Sequence, residues 1–248
     1  MIFPDWTLFN IVFYISWGLF ALSFGFLAYY NIMALGYSKF SSGKGIPSRI
    51  GMVIMYSLPI LIVTLCALPY LPYLRLIQLA VYGALVIHFG KRVLESLLIH
   101  KYSGHMDVLA VVVASITYAV MAGGISGLNI QPASEMGGIF YAGLVLFFVG
   151  ETGNFYHHLL LANLRKTDRE YHIPHGGWFE YVACPHYFFE LLAWLGIALL
   201  SRHLFAMLVF VSMSGYLISR SIKTRQWYQQ RFKQEYPTKR KLLIPFIF

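Results

Sequence analysis

The sequence predicts an all-α polytopic membrane protein with seven transmembrane helices, its amino terminus outside and its carboxy terminus in the cytoplasm. Three observations carry this prediction. Of 248 residues, 58% are hydrophobic and only 12% are charged, a usage that a soluble core cannot bury. Runs of about 20 apolar residues recur along the chain, each long enough to cross roughly 30 Å of hydrocarbon. Seventeen of the nineteen Lys and Arg residues fall in alternate connections between those runs, which is the asymmetry of the positive-inside rule.

The runs place spans at 9–35, 50–69, 75–99, 108–128, 137–163, 183–201 and 203–222. The first is too long for a signal-peptide core, has no basic flank before it and no small-residue cleavage site after it, so it reads as a retained span. The basic connections hold Lys39, Lys44 and Arg49; then Lys91, Arg92 and Lys101; then Arg165, Lys166 and Arg169; then eight residues from Arg220 to Lys241. Only Arg75 and Arg202 lie on the opposite side. A basic face of this kind suits lipid headgroups or an anionic cofactor better than nucleic acid. A bacterial inner membrane and the endoplasmic reticulum both fit.

Cys66 and Cys184 share no metal-type spacing, which argues against a disulfide scaffold or structural zinc. Gly123, Gly124, Gly127, Gly137 and Gly138 suit close helix packing. There is no GxGxxG and no strand-turn-helix context, so a nucleotide here is not held by a Rossmann unit.

Ionisable groups inside spans are expensive and attract functional suspicion. Lys91 and Glu95, four apart, suit either a self-satisfying ion pair or a functional role. Asn154, His158 and Arg165 fall within one narrow arc of the fifth helix. Arg220, Thr224, Tyr228 and Arg231 form a similar stripe on the last, for which a solvated basic face is the ordinary explanation. His186 and Glu190 share a face of the sixth helix. The polar loop before it, with Tyr171, His172, Pro174, His175, Gly176 and Gly177, is turn-prone and placed to lie over a cavity between helices five, six and seven.

From Asn154 through Asn163-Leu164-Arg165-Lys166, the block Tyr171-His172-Ile173-Pro174-His175-Gly176-Gly177-Trp178, then Cys184-Pro185-His186-Tyr187 and Glu190, and from Trp227-Tyr228 to Ile244-Pro245-Phe246, the chain resembles the carboxy-terminal domain of the steroid 5α-reductase family. The resemblance covers roughly the last hundred residues. It implies seven spans, NADPH bound at the cytoplasmic side, and hydride transfer to a carbon-carbon double bond conjugated to a carbonyl in a lipid-like substrate. It divides the single membrane domain into helices one to four on the substrate side, 1–136, and the cofactor half, 137–248. Asn154, His158, Arg165, Tyr171, Glu190, Arg220, Tyr228 and Arg240 are its implied cofactor-pocket residues, with Lys39 from the amino-terminal half. A pyrophosphate and a 2′-phosphate need several such cations.

The chain departs from this pattern where steroid-reducing members carry a Gln-Glu pair before Leu-Pro and a His-Tyr pair. Here those positions read Tyr56-Ser57-Leu58-Pro59 and His88-Phe89. The run from His88 to Ser96 is similar to the very-long-chain enoyl-CoA and polyprenol reductase branches, so an enal, enone or enoyl group on a long chain suits the site as well as a steroid. Tyr56 and His88, each beside a missing acid, are the expected donors to the carbonyl oxygen. Three rivals stand beside this reading. One is an S-adenosylmethionine-dependent membrane methyltransferase, disfavoured by the absence of paired glutamates in the last helix. Another is a di-metal hydroxylase using His157, His158, His172, His175 and His186, against which no metal is expected. The third is a transporter or a degenerate reductase that binds nucleotide and lipid without chemistry.

Overall fold

The computed structural model describes residues 1–30, 44–102, 104–132, 136–164 and 171–248. Seven α-helices appear among them: α1 Leu8–Tyr29, α2 Ser48–Ala67, α3 Leu76–Leu94, α4 Val108–Leu128, α5 Gly138–Asn163, α6 Pro185–Ser201 and α7 Leu204–Phe232. Six are long and apolar enough to cross a membrane; α6 is shorter, at 17 residues. The chain is a multi-pass membrane protein. The end of the first predicted span, 31–35, lies outside the described residues, as do Lys39 and Arg165.

Local chemistry sets the helix ends. Thr7 Oγ1 accepts from the Asn10 amide at 3.2 Å at the start of α1, meeting one of the donors that a helix leaves unpaired at its first turn. At α3, Gln78 Oε1 reaches back to the Arg75 amide at 2.9 Å. Pro185 opens α6 at a position where its missing amide hydrogen costs nothing. That helix closes at Arg202, in the left-handed region with φ 57°. The amino-terminal segment braces this corner: the Ile2 amide donates to the Arg202 carbonyl at 2.7 Å, and the Leu204 amide donates to Ile2.

Three helix pairs dominate the packing, α5 with α6, α2 with α4, and α1 with α7. In a bilayer, association rests on close approach of backbones rather than on hydrophobic driving force. A Cβ on Gly25 of α1 would stand 2.7 Å from the Gly215 carbonyl oxygen of α7. Across α5 and α6, Gly150 abuts Ala193, and Gly196 meets Phe147 and Gly143. Of the glycines expected at helix contacts, Gly123 and Gly124 do pack, against Ile62 and Phe205. Gly127, Gly137 and Gly138 have nothing within 4 Å of a Cβ, so small size alone did not mark the true interfaces.

The fold also departs from purely helical structure. Ile46–Pro47 (β1) and His105–Met106 (β2) pair antiparallel, joining the segments that precede α2 and α4. A parallel bridge sets Val182 beside Lys241, where the Ala183 amide donates to the Lys241 carbonyl at 2.8 Å and the Lys241 amide to the Tyr181 carbonyl at 2.9 Å. These ladders are too short to leave a period-2 hydrophobic signal.

Candidate active site

A cavity of about 220 Å³ opens among α5, α6, α7 and the loop that precedes α6. It reaches further than the sequence suggested, to Met52 and Tyr56 of α2, Arg92 of α3 and Tyr118 of α4. Six expected site residues line it: Tyr56, His158, Tyr171, Glu190, Arg220 and Tyr228. His158, Glu190, Arg220 and Tyr228 come together because α5, α6 and α7 each turn one polar stripe inward, and Tyr56 of α2 and Tyr171 of the loop complete the wall.

One part of the wall is cationic and hydroxylic. Arg220, Thr224 and Tyr228 rise along α7 at intervals of four residues and are all buried. Tyr171 of the loop packs edge-on against Trp227, with the Arg231 guanidinium 6.0 Å from its ring. Tyr228 stacks on Tyr236 at 5.9 Å; burial pushes the Tyr236 hydroxyl up to about 12, so it stays neutral.

The loop is held in place by two glycines and the tail. Gly176 and Gly177 have φ 88° and 54°, the left-handed region that side chains disfavour. Gly177 also runs close over α5, since a Cβ there would stand 3.0 Å from His157 Nε2. His157 uses both ring nitrogens, Nδ1 donating to the Gly153 carbonyl at 2.7 Å and Nε2 accepting from the Trp178 amide at 3.1 Å. Glu180 Oε1 accepts from the Gly176 amide at 2.7 Å. That bond, with His175 and Arg240 adding to it, lowers the Glu180 carboxyl below its ordinary range. Arg240, expected in the cofactor pocket, lies off the cavity. Its Nη1 donates to the Pro174 carbonyl at 2.9 Å, and Nη2 lies 3.7 Å from Glu180 Oε2.

The remaining polar groups knit α3 to α2, α5 and α6. Arg92 Nη2 donates to Tyr56 Oη at 2.9 Å, and Nη1 to Glu95 Oε2 at 2.7 Å. His158 Nδ1 lies 3.0 Å from the same Glu95 oxygen. Lys91 donates to Asn154 Oδ1 at 2.5 Å and pairs with Glu151 at 2.8 Å. Asn154 Nδ2 in turn donates to the His186 carbonyl at 2.8 Å. His88, the second expected donor, also lies off the cavity: its Nδ1 meets Glu151 Oε1 at 2.5 Å and its ring abuts Trp194 at 4.9 Å. Asn154 is likewise behind the wall.

Glu95, His100 and His158 bring ligand-capable atoms within 4.8 Å of one another, a grouping that shares only His158 with the histidine cluster weighed from sequence. The Arg92 guanidinium donates to its carboxylate at 2.7 Å and lies 2.9 Å from His158 Nδ1, so it engages the ligand atoms that an ion would need.

The sequence model of the 3-oxo-5-alpha-steroid 4-dehydrogenase family matches residues 105–248, more than half of the chain. The chain belongs to that family. Its relatives within and around the family fall into two groups. The steroid 5-alpha-reductase DET2 of Gossypium hirsutum is 41% identical over 110 residues, 44% of this chain and 43% of that protein. The 3-oxo-5-alpha-steroid 4-dehydrogenase 1 of Rattus norvegicus is 40% identical over 109 residues, 44% of this chain and 42% of the rat protein. A very-long-chain enoyl-CoA reductase of Dictyostelium discoideum is 30% identical over a longer stretch of 167 residues, 65% of this chain and 55% of its own length. The chain thus spans less than half the length of the steroid reductases it matches. The family match covers the loop, α6, α7 and the tail, and leaves Tyr56, Arg92 and Glu95 outside it.

Proposed function

We propose that this protein is a membrane-embedded oxidoreductase of the CH-CH class, using NADPH to reduce a carbon-carbon double bond conjugated to a carbonyl in a lipid-like substrate. The observation that carries this reading is the single cavity that unites two chemistries. Arg220, Thr224, Tyr228 and Tyr171 supply the cation, hydroxyls and aromatic face that a nicotinamide dinucleotide phosphate requires. Tyr56, its hydroxyl bonded by Arg92, lines the same space. Bound there, NADPH would deliver hydride to the β-carbon of the substrate.

Tyr56 acts as the donor to the carbonyl oxygen. The Arg92 guanidinium donates to the Tyr56 oxygen, which orients the hydroxyl and supports charge that develops there. His88 supports the site indirectly through Glu151 and Lys91. Lys39 and Arg165 join the cofactor set on the strength of the resemblance, and Glu190 closes the wall beside His186. Arg240 contributes by fastening the loop.

The topology follows the same reading, with seven spans including α6, the amino terminus outside, and the basic tail in the cytoplasm, where NADPH is available. Helices one to four form the substrate half and 137–248 the cofactor half. The likeness to an enoyl-CoA reductase beyond the family match, together with Ser57 and Phe89, favours an enal, enone or enoyl thioester on a long chain over a 3-oxo-Δ4-steroid.

The test begins with thermal stability of the detergent-purified protein. A ligand at 100 times its dissociation constant stabilises by roughly 2.7 kcal/mol, so NADPH should raise the midpoint while NADH and S-adenosylmethionine should not. Oxidation of NADPH on addition of enals, enones and enoyl thioesters then identifies the substrate class. A response to S-adenosylmethionine alone overturns the reading in favour of a methyltransferase.

A further inference from the structure

Glu95 has no exposed surface. A carboxylate this deep persists only when its charge is fully answered by donors and cations. Its Oε2 takes Arg92 Nη1 at 2.7 Å and faces His158 Nδ1 at 3.0 Å, with His100 Nε2 at 3.9 Å. Lys91 lies 3.7 Å from Oε1 and is shared with Glu151. The two carboxylates thus balance the two cations. Arg92, His158 and His100 all reach the cavity wall. Arg92 reaches past it to Tyr56 Oη.

The carboxylate therefore fixes two cavity-facing groups at once. His158 Nδ1 faces both Glu95 Oε2 at 3.0 Å and Arg92 Nη1 at 2.9 Å, and Nε2 lies 3.3 Å from the same Nη1; with the Nδ1 hydrogen given to the carboxylate, Nε2 is the nitrogen left to exchange protons, and the carboxylate supports the imidazolium when it forms. A reduction of this class needs two such groups. One must hold the carbonyl oxygen as negative charge develops, and the other must deliver a proton to carbon. Neither Ser57 nor Phe89 has the acidity for the second task.

We infer that Glu95 is a positioning residue that holds His158 as the proton donor to the substrate α-carbon and, through Arg92, holds Tyr56 as the donor to the carbonyl oxygen. This rests on the reductase reading above and reassigns His158 from cofactor contact to catalytic residue. The β-carbon receives hydride, with its electron pair, from the reduced nicotinamide. The π pair of the double bond shifts to leave an enolate, whose oxygen takes the Tyr56 hydrogen bond. The α-carbon then binds the proton of His158 Nε2: a C–H bond forms, the N–H bond breaks, and the carbonyl is restored. A proton from bulk solvent then restores the imidazolium for the next turnover.

The test runs this last step backwards, without nicotinamide. The saturated carbonyl product of whichever substrate class the protein reduces is incubated with full-length protein in D2O, and deuterium at its α-carbon is followed by mass spectrometry. The wild type is expected to catalyse exchange, and His158→Gln to lose at least about 100-fold, within the usual range for a general acid-base group. His158→Gln is expected to keep stabilisation by NADPH. Glu95→Asp, which preserves the charge, should retain more exchange than Glu95→Gln and lower kcat with KM within about threefold. Exchange that survives in His158→Gln overturns the inference while leaving the reductase reading in place. So does a His158→Gln protein that loses NADPH stabilisation but not exchange, since His158 would then be a cofactor contact. A wild type that reduces no conjugated carbonyl overturns the reductase reading itself, and the inference with it.

Discussion

Arg240→Ala should loosen the loop over the cavity without unfolding the helices beneath it. The guanidinium is 2% exposed and donates to the Pro174 carbonyl at 2.9 Å. A hydrogen bond to a charged group contributes about 1.5–3 kcal/mol net. The approach to Glu180 at 3.7 Å adds little, because that carboxylate is 47% exposed and screened by solvent. Removing the arginine therefore shifts the loop toward its open form by about 10- to 100-fold, at 1.4 kcal/mol per decade. Hydrogen exchange at the Gly176 and Trp178 amides, both hydrogen-bonded in the closed loop, reads this directly, and the apparent Kd for NADPH should rise in step. Amides of α5 serve as the internal reference. Unchanged protection at Gly176 and Trp178 in Arg240→Ala would refute the assignment of Arg240 as the fastener.

Gly25→Ala should lower the thermal midpoint, because its Cβ would stand 2.7 Å from the Gly215 carbonyl and forced overpacking costs about 1–3 kcal/mol; Gly18→Ala on the same helix, with nothing within 4 Å, should be neutral. Asn154→Leu should destabilise by about 2–4 kcal/mol in a melting assay, since it strips a partner from both Lys91 and the His186 carbonyl at a site only 1% exposed. The Glu180 carboxyl is depressed in the folded loop, first by the Gly176 amide. Its contribution is therefore complete above its ordinary value of 4.5 and is lost as pH falls through the lowered value. Protection of the Gly176 amide should decline over that acidic window, and in Glu180→Gln the decline should be absent.

Hydropathy carried the helices because the bilayer imposes length and apolarity on each span separately, with no knowledge of partners required. The sixth shows the limit, since α6 at 17 residues is short for a span although its predicted bounds, 183–201, nearly coincide with Pro185–Ser201. Cavity-lining residues were legible as one stripe where one helix face has one neighbour, as on α7, although that stripe suggested a solvated basic face and Arg220, Thr224 and Tyr228 are buried. They were not on α3 and α5, where consecutive turns serve different partners. His88 and Arg92 are one turn apart, yet His88 meets Glu151 and Arg92 meets Tyr56. Asn154 and His158 divide in the same way. Helical periodicity fixes an angle around the axis, but depth along it is decided by the neighbouring helices. The bond between Arg240 and Pro174 joins segments 66 residues apart, and no local pattern announces it.

The contact of α1 with α7 bears on how the protein is made. Gly25 and Gly215 touch across 190 residues of sequence, which take roughly 10–40 s to synthesise at 5–20 residues per second. Throughout that interval α1 is in the bilayer without the partner that its glycine face fits, and lipid or the insertion machinery must cover it. The Lys223 amine that donates to the Ala28 carbonyl at 2.9 Å is later still to emerge. Of the seven helices α1 is thus among the last to reach its final neighbour, so late stages of assembly, rather than insertion of any one span, are where this chain is most exposed to misassembly.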